Sequence, residues 1–459
     1  MNNRKILFLP IETISRELDS KLALMSELMG PDLICFLGQH DAIDRISQFY
    51  NNGVYVGKNV FKTFFPTNMK PYETYKSNSH SILWLHEEGG IYAGTEKDWR
   101  KTLDQLLDPS ILSKDDQILT WGNFQKKHYQ KQGPAEVTTV GSPRFNLSKD
   151  SLLRRLVQKF NRVKLDNFIL INTNFSIANY SSHLDSVLDE QYRGHDDQES
   201  QHKVIQGYAE EKRTLAHFIE VVSELALRYP KEKFVLRPHP TESSDIYKSI
   251  FSIYKNIIIS KDHSAIEWID KCKALIQNGC TTSIEGHLMG KKVLNFYPFS
   301  PTNMVLVTQD IGINCKNIDE LEHNLFGTNI DLKLATEKRL SLNRLLDNTN
   351  STFDASHLAD VIKSKVDRKD FCQTNLSLAL IRIYLFIFKV FVINACKRIP
   401  RLLFFPRRQK DYQMFCDAFP GMNREEISQK IKFLSKDQNK DIDCLFLSKD
   451  LIMLRSAKV

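Results

Sequence analysis

Along its first three hundred residues the chain alternates short apolar runs with stretches whose apolar positions recur at helical spacing. Ile6 to Leu9 and Leu33 to Phe36 are runs of the length expected of buried strands, and Ile14, Leu18, Leu22, Leu24 and Met25 between them mark one face of a helix. Further strands are predicted at Ser81 to Leu85, Gln117 to Trp121 and Val137 to Val140. Gly141 to Asn146 reads as a turn, after which the pattern restarts with strands at Phe168 to Asn172, Phe234 to Leu236, Ile257 to Ile259, Ala274 to Ile276 and Val293 to Asn295. Arg213 to Leu227 is an amphipathic helix, and the polar, acidic stretch from Asn179 to Gln206 is expected to be a mobile loop. Such alternation predicts an α/β fold with parallel sheets covered on both faces.

At 459 residues the chain suits two globular domains with additional segments. The expected division is a first Rossmann-type domain over 1–150, a second over 151–350, a helical basic-apolar segment over 351–410 and a small helical appendage over 411–459. Apolar residues at 42% and charged residues at 26% exclude global disorder. The N-terminal apolar run is too short for a signal peptide, which points to the cytoplasm. Eight cysteines without a C-x-x-C pair argue against a disulfide framework and a zinc site.

The formal charge of +8 is matched by eight cations between Arg382 and Lys410, a stretch holding no acid. With the rest of the chain near neutrality, a general nucleic-acid-binding surface is excluded. Within that region Leu376 to Cys396 is apolar apart from Ser377, Arg382, Lys389 and Asn394. As a membrane span, two central cations cost about 5–7 kcal/mol, close to what the apolar residues return. Cations flank both ends, so the expected arrangement is a helix lying on the inner-membrane surface, with a core helix as the alternative.

Three clusters fall where predicted strands end. Glu87 and Glu88, before Gly89 and Gly90, offer a general base whose pKa like-charge coupling would raise; an acidic surface turn is the alternative. Arg237 and His239 stand between prolines that fix the backbone, and both can donate to phosphate. Gly279, Thr281, Thr282 and Ser283 open a predicted helix, Thr282 to Met289, whose free N–H groups suit a phosphate; capping by a threonine is compatible with that role. Glu285, one turn in, is placed to accept from a ribose hydroxyl. Weaker candidates are Glu12 and Arg16, which could bind substrate or simply pair at i,i+4 spacing, together with Arg144, Asn172 and Asn174.

An acidic pair with glycine, then His-Pro, then a Ser/Thr run resembles the motif order of bacterial sialyltransferases and Kdo transferases. The stretches Pro10 to Asp19, Thr120 to Gly122, Val140 to Phe145, Ile171 to Phe175 and Arg237 to Pro240 are similar to the bacterial surface carbohydrate biosynthesis family. That resemblance implies a GT-B-like fold, two doubly wound domains facing a cleft, and transfer of a Kdo-like or sialic-like ulosonic acid from a CMP donor. The acceptor would be a surface polysaccharide or a lipid-linked glycan, with no cofactor and no metal. Glu87 or Glu88 would be catalytic, and His239, Thr281 and Thr282 would contact the donor phosphate. His86 departs from the pattern, standing where an acid is expected. Transfer from a UDP-sugar, epimerisation of one, transfer from a CDP-polyol, and an inactive membrane-bound scaffold are the competing readings.

Overall fold

The computed structural model describes residues 4–58, 60, 71–86, 94–179, 198–299, 308, 310–327, 344–347, 356–372, 380–385, 388–389, 392 and 419–457. Six parallel strands form the body of the first sheet: β1 (Lys5–Ile11), β2 (Leu33–Gln39), β3 (Val54–Gly57), β4 (Ser81–Leu85), β5 (Gln117–Thr120) and β6 (Glu136–Thr139). The second sheet is also parallel: β7 (Ile169–Asn172), β8 (Phe234–Arg237), β9 (Ile257–Ile259), β10 (Ala274–Gln277), β11 (Lys292–Phe296) and β12 (Ile313–Cys315). Every residue of β2, β4, β7 and β10 is buried, as strands covered on both faces require. The edge strand β6, Glu-Val-Thr-Thr, is polar and partly exposed, which discourages further pairing.

Strand order decides where ligands can sit. In the second sheet it is β12-β11-β10-β7-β8-β9, the doubly wound order that reverses between β7 and β10. In the first it runs β2-β1-β3-β4-β5-β6, reversing between β1 and β3. At each reversal the connections leave on opposite faces, so a crevice opens beyond the carboxyl ends of the two central strands.

The expected strands are present, and β3 and β12 are additional. Three other expectations change. Residues 198–206 are not loop but the first turns of a helix, Gln198–Arg228; the rest of the expected loop, 180–197, lies outside the described residues. The second domain does not run unbroken to residue 350. Asp347 N–H donates to Trp121 O (2.7 Å) and Gln125 Nε2 to Leu345 O (3.0 Å), so the chain has already returned to the first unit there. Gly122 makes room for this return, since a Cβ would lie 2.6 Å from the Leu345 carbonyl carbon.

The C-terminal residues are not a helical appendage. After the helix Arg424–Asp437 come β13 (Ile442–Ser448) and β14 (Leu451–Ser456), a hairpin whose second strand pairs antiparallel with β2 and extends the first sheet to eight strands. Lys430 Nζ, buried, reaches Asp19 at 2.7 Å and so ties that helix to Ile14–Leu28. The helix Ser356–Asp367 likewise buries Leu358, Ile362 and Val366 in the first unit's core. Among the described residues no helix is long and apolar enough to cross a membrane.

Candidate functional site

Both switch points are built from polar side chains. At the second, Asn172 ends β7 and donates from Nδ2 to Thr282 Oγ1 across the crevice at 2.9 Å. Asn174 N–H donates to Asn278 Oδ1 at 2.8 Å, and its Nδ2 lies 3.4 Å from Gly279 O. These bonds join the loop after β7 to the loop after β10, the pair between which the strand order reverses. Gly279 has φ +91° with open space around a would-be Cβ, so glycine serves backbone conformation there. The helix that follows is Thr282–Leu288, close to expectation, and Thr281 at its N-cap makes no capping bond with its side chain.

Several buried polar atoms here have no hydrogen-bond partner among the described residues: Asn172 Oδ1, Ser283 Oγ, Glu285 Oε2 and Arg237 Nε. Leaving such atoms unmatched costs about 1–3 kcal/mol each. The other oxygen of Glu285, Oε1, takes Arg144 Nη2 at 3.0 Å in an ion pair where both side chains are buried. Arg144 comes from the short 3-10 turn Pro143–Phe145, so the pair links the end of the first unit to the second.

Arg237, the last residue of β8, is held by Nη2 on His263 O at 3.1 Å. Burial lowers its pKa, opposed by Cys280, Glu285 and Glu267. His239 follows. Thr241 N–H points at His239 Nδ1 (3.4 Å) and the Thr241 hydroxyl lies 2.8 Å from the same atom, which makes Nδ1 the acceptor and leaves the proton on Nε2. Burial pulls the His239 pKa below its ordinary value; Glu242 works against this, and Arg237, Arg16 and Lys261 reinforce it. The imidazole is thus a neutral N–H donor near pH 7. Arg16, from the first unit, is thus close enough to His239 for its charge to be felt there.

The residue that organises this loop is Glu242, fully buried and overlooked in the sequence. Its Oε1 accepts from Thr173 Oγ1 (2.9 Å), Phe175 N–H (2.9 Å) and His239 N–H (3.2 Å). Its Oε2 accepts from Tyr247 OH (2.6 Å) and Asn179 Nδ2 (3.3 Å). The signal was available: a glutamate three residues after His239 can accept from its backbone N–H, the reciprocal half of a capping box.

At the first switch point Glu12 follows β1 and Lys58 follows β3, and the two pair at 2.6 Å across the reversal. Arg16 lies 3.8 Å from Glu12 and 3.5 Å from Glu17, so the i,i+4 pair exists but is long. Glu17 is fully buried and accepts from the N–H groups of Glu12 and Thr13. Its burial would raise its pKa, but Lys21 and Arg16 prevail and bring it to about 2. Beside them His40, just past β2, has both ring nitrogens buried and unpartnered; burial, with Lys21 next, takes its pKa down to about 3. A lone histidine just after a buried strand offers no motif in the sequence. Glu87 and Glu88 lie outside the described residues; His86, at the end of β4, has its ring 5.7 Å from that of Trp84.

Two doubly wound units whose switch points face one another across a polar crevice constitute a GT-B-like architecture. No protein-family model matches the chain, and no curated protein matches its sequence. Among solved structures it is similar to the wall teichoic acid polymerase TagF, at 12% identity and a TM-score of 0.40, over 79% of this chain and 89% of that one. It is also similar to S. aureus MnaA in a UDP co-structure (10%, TM-score 0.43, 80% and 97%). A third is the Methanocaldococcus jannaschii UDP-GlcNAc 2-epimerase (11%, TM-score 0.41, 78% and 99%). Likeness at this level carries no argument about activity.

Proposed function

We propose that the chain is a nucleotide-sugar-dependent glycosyltransferase that transfers an ulosonic acid, Kdo-like or sialic-like, from a CMP donor. The acceptor in this reading is a surface polysaccharide or lipid-linked glycan met at the inner-membrane surface. The observation that carries it is the set of buried, unpartnered atoms at the β7/β10 switch point, Ser283 Oγ, Glu285 Oε2, Asn172 Oδ1 and Arg237 Nε, beside a neutral His239. A nucleoside monophosphate ester supplies what they lack: phosphate oxygens for donors and ribose hydroxyls for Glu285.

In the reaction the acceptor hydroxyl oxygen bonds to the anomeric carbon as the bond from that carbon to the donor phosphate breaks. Glu87 or Glu88 takes the hydroxyl proton. The electron pair of the broken bond leaves on CMP, where the Nε2–H of His239 and the guanidinium of Arg237 stabilise the growing charge. Thr281 and Thr282 hold the same phosphate from the other loop, with Gly279 letting the backbone approach. Arg16, Asn174 and Glu12 orient the sugars. A double displacement with the glutamate as nucleophile is the retaining alternative, and the anomeric configuration of the product distinguishes the two.

Thermal unfolding with CMP, CDP, UMP, UDP and GDP tests the donor class. A nucleotide at a hundred times its dissociation constant stabilises by about 2.7 kcal/mol. Selective stabilisation by CMP that disappears in His239→Ala is the expected result. Stabilisation by UDP or CDP instead replaces the CMP-ulosonate by a UDP-sugar or CDP-polyol, and indifference to all five removes the enzyme reading. Glu87→Gln and Glu88→Gln are expected to bind CMP normally while one of them loses turnover.

A further inference from the structure

A second polar concavity, of about 620 Å³, lies at the opposite edge of the first sheet. Its lining comes from the segments that enter β3, β4 and β5, and because these strands are parallel this is the edge away from the cleft. Lys76, Lys114, Lys365, Arg368 and Lys369 face Asp115 and Asp370 there. Asp115 takes Lys369 at 2.7 Å and Lys365 at 3.2 Å, while Lys76 is taken by Asp116 at 2.9 Å. Lys114 and Arg368, both exposed, have no partner among the described residues. The concavity is therefore a basic site whose two unspent cations suit the oxygens of a phosphate.

A second surface feature bears on the source of that phosphate. Four residues after Arg368, Cys372 pairs with Arg4 at the start of β1, on the same edge of the sheet. Further along, residues 380–385 and 388–389 are helical, and Ile383 among them is 1% exposed in the core. Leu380 packs partly buried against the same core, whereas Ile381 is 58% exposed, Leu385 65% and Phe388 66%, with Tyr384 and Val392 also exposed. Arg382 and Lys389 are exposed among them. An exposed apolar row interleaved with cations, on a chain that also carries this basic concavity, matches a bilayer with anionic headgroups.

We propose that this edge docks on an anionic bilayer, with Lys114 and Arg368 seating a lipid headgroup phosphate while Leu385 and Phe388 enter the acyl boundary. The inference deepens the membrane side of the proposed function and does not depend on the donor. Docking here leaves the cleft, at the far edge of the sheet, open to a soluble nucleotide sugar.

The full-length chain is sedimented with vesicles of phosphatidylglycerol and phosphatidylethanolamine, and with vesicles of phosphatidylcholine alone. Binding is expected to the first and not the second, and to weaken at high salt. Lys114→Ala with Arg368→Ala should lower vesicle affinity roughly 30-fold. Leu385→Ser with Phe388→Ser should lower it roughly tenfold or more without removing the lipid preference. All four side chains are exposed, and an unchanged melting temperature in each variant certifies its fold. Equal binding to phosphatidylcholine, or wild-type binding by either variant pair, overturns the proposal. So does stabilisation by inorganic phosphate that requires Arg368 in a chain that ignores vesicles, which assigns the basic site to a soluble phosphate. Vesicle binding that survives alongside indifference to every nucleotide keeps this inference and removes only the enzyme reading.

Discussion

Replacing Glu242 by alanine withdraws one carboxylate from five donors, Thr173 Oγ1, Phe175 N–H, His239 N–H, Asn179 Nδ2 and Tyr247 OH, of which Asn179 Nδ2 keeps a second acceptor in Ser243 O. Hydrogen bonds to a charged group contribute about 1.5–3 kcal/mol each, but losses within one network do not add, because freed hydroxyls rotate to new partners. The two backbone N–H groups have no such freedom, which sets the expected destabilisation at about 3–5 kcal/mol. For a unit of this size that is a drop in melting temperature of about 10 °C. Glu242→Gln keeps the shape and one carbonyl oxygen, so the loss should be about 1–3 kcal/mol, with the Asn179 amide the donor left facing another donor. Scanning calorimetry measures both, with Glu199→Ala as the control, since that side chain is 81% exposed. In the glutamine variant the His239 loop should also be displaced, so CMP stabilisation should weaken more than the melting temperature falls. A Glu242→Ala chain melting within about 1 °C of the control refutes the claim that this carboxylate holds the loop.

Breaking the buried Arg144–Glu285 pair by Arg144→Ala or Glu285→Ala should cost about 3–5 kcal/mol in urea unfolding, and the double variant less than the sum; strict additivity would remove the contact between the units. His40→Leu should leave stability at pH 7 unchanged or higher, because both ring nitrogens are unpartnered, and a loss above about 1 kcal/mol contradicts this. The same variant bears on acid stability. With its pKa lowered to about 3, His40 binds a proton more readily in the unfolded chain, so its contribution is fully present above the unfolded value and fades as pH falls toward 3. The slope of stability against pH below about 6.5 should therefore be shallower in His40→Leu than in wild type, by up to about 1.4 kcal/mol per pH unit. Gly279→Ala should lose about 1–2 kcal/mol from its left-handed backbone although space is available, and an unchanged melting curve would show that the turn relaxes.

What the sequence makes legible follows from periodicity. Buried strands such as Ser81–Leu85 are continuous apolar runs because both faces are covered, and they are found at or near their observed ends. Motifs at the ends of β8 and β10 are legible for the same reason: a strand that stops at Arg-Pro-His-Pro or Asn-Gly places those side chains at the crevice. The C-terminal hairpin is not, since Lys449-Asp450 lacks the glycine or asparagine of a hairpin turn and the partner of β14, β2, lies more than four hundred residues earlier. The first turns of Gln198–Arg228 are polar on nearly all sides, so no apolar stripe betrays the helix. Glu242 and His40 are hidden by residue type, because a glutamate or a lone histidine is ordinarily a surface residue and only the folded contacts reveal burial.

The placement of β14 beside β2 has a consequence for how the chain is made. Until Leu451–Ser456 leaves the ribosome, β2 is an open edge of a largely apolar sheet, with Leu33, Ile34, Phe36 and Leu37 in line. Synthesis at about 5–20 residues per second leaves that edge waiting for about 20–80 seconds. During that interval the second unit is finished while the first is still unsealed, and any other extended segment is a competitor for β2. A chain shortened before Ile442 should therefore be recovered mainly in inclusion bodies, not as a stable lone unit, and co-expressing residues 419–459 as a separate peptide should return part of it to solution.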